Sequence, residues 1–104
     1  MSFNVLFMAH SPDADWQRHQ SCIDTGQFVL WTIVVQDQAQ ALEIAKVIDD
    51  QNRLDSILLC PGFSHADVAE IFHFLKGREG VSVARGDGIS NQIAAQARKK
   101  AYER

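Results

Sequence analysis

Cysteine occurs only twice in the 104 residues, at Cys22 and Cys60, with no C-x-x-C pair and no further thiols to complete a metal quartet. A disulfide-stapled secreted scaffold and a structural zinc site are thereby set aside, and the usage fits a reducing cytoplasm. Basic residues are in the minority, ten Lys and Arg against thirteen Asp and Glu, for a formal charge of −3. Chains that wrap nucleic acid carry the opposite balance, so phosphate backbone is not an expected partner. Long apolar runs are missing too. The longest, Phe28 to Val35, is far short of the roughly 20 residues a membrane helix needs, so no membrane partner is expected. Met1-Ser2-Phe3-Asn4 lacks the basic start of a secretory signal. Proline is limited to two residues, and no Pro/Ser-rich linker, internal repeat or composition break divides the chain. One domain over residues 1–104 is expected.

What is present reads as a globular α/β chain. Hydrophobic residues make up 46% and charged residues 22%, which separates it from disordered compositions. Four apolar runs recur at intervals of about 25 residues: Phe3–Met8, Phe28–Val35, Leu54–Cys60 and Val81–Arg85. Each has strand length, and they are rich in β-branched and aromatic residues. Helical spacing lies between them. Ala41, Ile44, Ala45 and Ile48 share one face, with Asp37 as N-cap. Val68, Ile71, Phe72 and Leu75 share another, behind a capping box of Ser64 and Asp67, with Gly77 as the stop. A last helix over about 90–103 aligns Ile93, Ala94, Ala97 and Ala101 and extends the domain. A first helix within Asp13–Asp24 rests on Trp16, Gln20 and Ile23 alone.

Strands alternating with helices imply a parallel sheet, and near-continuous apolar strands imply that both its faces are covered. With right-handed crossovers, the order 2-1-3-4 puts helices on both sides, whereas 1-2-3-4 leaves one face in water. The expectation is a four-stranded parallel sheet of order 2-1-3-4, a reduced flavodoxin-like or Rossmann-like sandwich. Ligands of such sheets sit beyond the carboxyl ends of the strands where the chain reverses direction, here between strands one and three.

Two loops reach that crevice. The first carries His10, Asp13 and Asp15, with His19 beyond; the second carries Cys60, Gly62, Phe63 and His65; Arg85 ends strand four beside them. Gly62 lets backbone approach closely, the following helix opens on free N–H groups, and Arg85 can hold a carboxylate or phosphate. A small anionic ligand follows from this, against the simpler reading of an empty, capped helix end. Asp67 in the first helical turn and the first-loop carboxylates oppose an anion. His10 or His65 would be the acid or base if a reaction occurs, though no motif names one. Imidazole and carboxylate also suit a divalent metal, which makes His10, Asp13, Asp15 and His65 an alternative metal set; Asp13 or Asp15 as a mere N-cap is the plain counterpart. Cys60, near a helix start, is either an activated thiol or a small core residue.

Charge is uneven along the chain. Residues 76–104 hold seven Lys and Arg against three Asp and Glu, a net +4, so residues 1–75 hold −7. The run Phe28–Val35, uncharged and without proline, would form an open sheet edge in the 2-1-3-4 order. Soluble proteins cover such an edge, so a homodimer is expected. A non-catalytic oligomeric or regulatory module therefore stands as the alternative function.

Known sheets of this kind are distinguishable by their residues. Phosphorylation receivers need an aspartate where Cys60 stands, flavodoxins need a Ser/Thr-Gly-rich first loop, and the cobalamin pattern D-x-H-x-x-G is absent. By contrast, Pro12-Asp13-Ala14-Asp15, the segment Cys60-Pro61-Gly62-Phe63-Ser64-His65 and the strand-closing Arg85 resemble the DUF6506 family of small uncharacterised bacterial α/β proteins. The resemblance covers about residues 3–87. It implies that the two loops form one site and brings no activity with it.

Overall fold

The computed structural model describes residues 1–102. In chain order it runs β1 (Phe3–His10), β2 (Gln20–Asp24), β3 (Phe28–Val35), α1 (Gln38–Asn52), β4 (Ser56–Leu59), α2 (His65–Phe74), β5 (Gly80–Val83) and α3 (Gly88–Tyr102). One five-stranded mixed sheet has the order β2-β3-β1-β4-β5. β3, β1, β4 and β5 are mutually parallel, and β2 runs antiparallel along the outside of β3.

The expected four-stranded, wholly parallel sheet of order 2-1-3-4 is therefore incorrect, and the difference lies in the first connector. In place of a helix over Asp13–Asp24, a single turn closes at Asp15–His19, where the Asp15 carbonyl accepts from the N–H groups of Arg18 and His19 at 3.0 and 2.8 Å. β2 follows and folds back through a hairpin. Gly26 takes φ 98°, a conformation that suits glycine, and its N–H donates to the Asp24 carboxylate at 2.8 Å. Thr25 closes the turn, its N–H donating to the Phe28 carbonyl at 2.9 Å. A local hairpin thus wins over a helical spacing that rested on three residues.

The helices that were anticipated form as their caps dictate. The Asp37 carboxylate accepts from the Gln40 N–H at 2.9 Å at the start of α1. Ser64 and Asp67 form the full capping box of α2. α3 begins at Gly88, and its anticipated end at residue 103 lies outside the described residues. α1 packs on β1 and β3, while α2 packs on β5 and against α1. Between them and the sheet lies one core: Leu6, Met8, Ile33, Val35, Ile57 and Leu59 from the strands, with Ala41, Ile44, Ala45, Ile48 and Ile71 from the helices and Leu75 from the C-cap of α2.

Strand residues alternate between faces. The side chains opposite that core include Phe3, Val5, Phe7, Phe28, Leu30, Val34 and Leu58, and among the described residues no helix makes extensive contact with that face. Because the helix expected before β3 is a hairpin instead, the second face of the sheet is left open. The expectation of helices on both faces is incorrect for the same reason.

Candidate functional site

β1 lies between β3 and β4, so the loop after β1 and the loop after β4 leave neighbouring strands at the same end of the sheet. The ladder continues past β4, with the Cys60 N–H donating to the Met8 carbonyl at 3.0 Å. His10, last in β1, consequently meets the second loop. A Cβ added to Gly62 would lie 3.0 Å from His10 Cε1, 3.1 Å from His10 Nε2 and 3.6 Å from Cys60 Sγ. The imidazole thus occupies the space a larger side chain would need. On its other side His10 meets Phe63 edge-on, with ring centroids 4.7 Å apart, and Phe63 is fully buried.

Arg85, two residues past β5, braces this turn. It donates from Nη1 to the Pro61 carbonyl at 3.2 Å and from Nη2 to the Phe63 carbonyl at 2.9 Å. His10, Cys60, Gly62, Phe63 and Arg85 therefore form one constellation. The sequence anticipated its members, but not that the arginine first serves the loop's own carbonyls.

Of the other three candidates, Asp13 and Asp15 lie in the loop after β1 and His65 at the start of α2. The first loop is drawn toward β3: the Ser11 N–H donates to the Val35 carbonyl at 2.9 Å, and Gln36 Nε2 donates to the Ala14 carbonyl at 2.8 Å. Asp13 accepts a short hydrogen bond from the Ser11 hydroxyl. The Asp15 carboxylate accepts from the Gln17 N–H at 3.2 Å, and the Asp15 N–H donates to His19 Nδ1 at 2.9 Å, so His19 completes a backbone turn. His65 is exposed at the first position of α2. Among the described residues, no group of three or more His, Cys, Asp or Glu side chains is disposed to hold a metal ion. His10, Asp13, Asp15 and His65 thus do not gather as a metal-binding set among the described residues.

A second cluster at the opposite end of the sheet was not visible in the sequence. Asp49, buried in the last turns of α1, accepts from the Leu54 N–H through Oδ1 at 2.9 Å and pairs through Oδ2 with Arg78 Nη2 at 3.0 Å. Beside it Glu79 is only 4% exposed, and among the described residues its Oε2 has no hydrogen-bond partner. Burial, then hydrogen bonding and like charge from Asp49, push the Glu79 carboxyl up to about 7, against the opposing pull of Arg78. With Asp50, Arg53 and Asp55 these residues line a cavity of about 570 Å³. No sequence signal marks Glu79, because its burial depends on α1 meeting the start of β5. A further cavity of about 560 Å³ lies between Ser11, Pro12, Asp13 and the end of α3 at Ala101 and Tyr102.

Fold and site together describe a small α/β protein built on a mixed sheet, with a braced glycine turn at the carboxyl ends of its central strands. The chain belongs to a family of unknown function, DUF6506, whose model matches residues 3–99 and so takes in most of α3. In comparisons with curated proteins and with solved structures, nothing matches.

Proposed function

We propose that this protein is a small-molecule-binding domain that takes an anion of the phosphate or carboxylate class at the carboxyl ends of β1 and β4. The observation that carries this reading is the constellation around Gly62, where backbone, imidazole and guanidinium meet. Two Arg85 nitrogens serve loop carbonyls, and a guanidinium has five N–H donors, so cationic donors remain for a ligand beside the turn. The first N–H groups of α2, at His65 and Ala66, add donors and the positive end of the helix dipole. The carboxylate of Asp67, the charge most opposed to an anion there, is engaged on the Ser64 N–H. His10 is the side chain placed to exchange a proton with a bound molecule. Both cysteines are free, which supports the cytoplasmic placement; among the described residues no helix is long and apolar enough to cross a membrane.

Titration of inorganic phosphate into the wild type, Arg85→Ala and Asp13→Ala, with and without chelator, tests the reading by calorimetry. Loss of a charged hydrogen bond costs about 1.5–3 kcal/mol, so Arg85→Ala should bind roughly 10- to 150-fold more weakly. Asp13→Ala should bind as well as wild type or better, and chelator should change nothing. Equal weak binding by all three proteins would mean that α2 is capped and no more.

A further inference from the structure

α3 is a helix without a seat. None of its residues is buried, and among the described residues no strand or other helix makes extensive contact with it. Ile89 and Ile93 are 74% and 65% exposed. They align with Ala94, Ala97 and Ala101 in a stripe of the kind that surface helices turn toward a core. The sheet has the converse problem. On the face away from α1 and α2, Phe3 and Ile23 are 51% and 57% exposed and Phe28 and Leu58 each 37%, with Phe7, Leu30 and Val34 half-buried between them. Phe3 and Phe28 already pair across that face, their ring centroids 6.0 Å apart. Exposed apolar surface of this extent marks an interaction site.

We propose that a second copy of this chain covers the open face, with α3 of each copy seated on the sheet of the other. Three observations favour that occupant. First, one chain offers both an uncovered sheet face and an unseated amphipathic helix, which is the reciprocal complementarity that a closed two-fold dimer uses. The end of its own α3 lies by the Ser11–Asp13 loop, just past the carboxyl end of β1. Second, charge does not oppose this seating. Within Gly88–Tyr102 there are three basic residues, Arg98, Lys99 and Lys100, and no acidic one, while the strand residues of the open face, Phe3, Phe7, Ile23, Phe28, Leu30 and Leu58 among them, carry no charge that would oppose the helix. Third, the area suffices. Taking about 200 Å² for a fully exposed aromatic and slightly less for Ile or Leu, the four exposed side chains on the face and the two isoleucines of α3 present on the order of 600 Å² per chain. A standard interface takes about 800 Å² per partner, and the half-buried residues make up the remainder.

Light scattering on the eluting protein at micromolar concentration tests this. The wild type should have a mass of about 23 kDa, twice the 11.6 kDa of the chain. Ile93→Lys on the helix and Leu58→Lys on the sheet should each reduce it to the single-chain mass. Both side chains are exposed in one chain, so the circular dichroism should stay unchanged. A wild type at the single-chain mass would overturn the proposal, as would a species larger than two chains. A dimer that survives Ile93→Lys would overturn it as well, even if Leu58→Lys dissociates it, because the sheets would then be stacking without α3.

Discussion

Gly62 has little room for a side chain. With His10 Cε1 at 3.0 Å from the position of an added Cβ, Gly62→Ala requires the imidazole, or the turn that Arg85 holds, to give by a few tenths of an ångström. Overpacking of this sort costs about 1–3 kcal/mol. Urea denaturation should show that loss, and the His10 ring resonances should move; an unaltered protein would mean that the turn is loose. At this scale the sequence was informative about composition more than role. Gly62, His10, Cys60 and Arg85 stand out because glycine, imidazole, thiol and guanidinium cluster at strand ends. That Arg85 is committed to the Pro61 and Phe63 carbonyls is a property of the folded loop, set by where β5 ends relative to β4. Nothing in the local pattern around Arg78-Glu79 reveals a buried carboxyl, because that burial comes from contacts distant in sequence.

Among the elements, α1, β4 and β5 are joined at their shared end by Asp49, which binds the Leu54 N–H and Arg78 and faces Glu79. Folded Glu79 keeps its proton to about pH 7, whereas the unfolded chain releases it near its ordinary value of 4.5. Between those values the folded state binds more protons, so this group's contribution to stability is full below 4.5 and is lost as the pH rises to 7. The loss amounts to about 3 kcal/mol at most. Glu79→Gln cannot ionise and should remove that decline, so the stability difference between variant and wild type should widen in the variant's favour from pH 5 to pH 8. Denaturation curves across that range check it, and a difference independent of pH would contradict the protonated carboxyl. Elements with strong local signals, α1 behind Asp37 and α2 behind the Ser64–Asp67 box, were legible. β2 was not. Trp16, Gln20 and Ile23 imitate helical spacing, and the decisive evidence, a turn at Thr25-Gly26 with β3 waiting to pair, depends on a partner strand.

For the whole molecule, that one hairpin has two consequences. It shields the edge of Phe28–Val35, which lies between β2 and β1, so the reason the sequence offered for a dimer does not hold. It also removes the helix that would have covered the second face, and the open face with its unpaired α3 supplies a different reason. Through the same sheet order, β1 beside β4 sets His10 against the Gly62 turn at the carboxyl ends, while the backbone of the first loop is held to Val35 and Gln36 at the end of β3. A bound anion should therefore be read out by one end of the sheet and one side of that end. Amide NMR during a phosphate titration measures this most directly. Saturating shifts should be confined to His10, Gly62 to Ala66 and Arg85. Shifts centred on Arg98, Lys99 and Lys100, or none that saturate, would contradict an anion site at the carboxyl ends of β1 and β4.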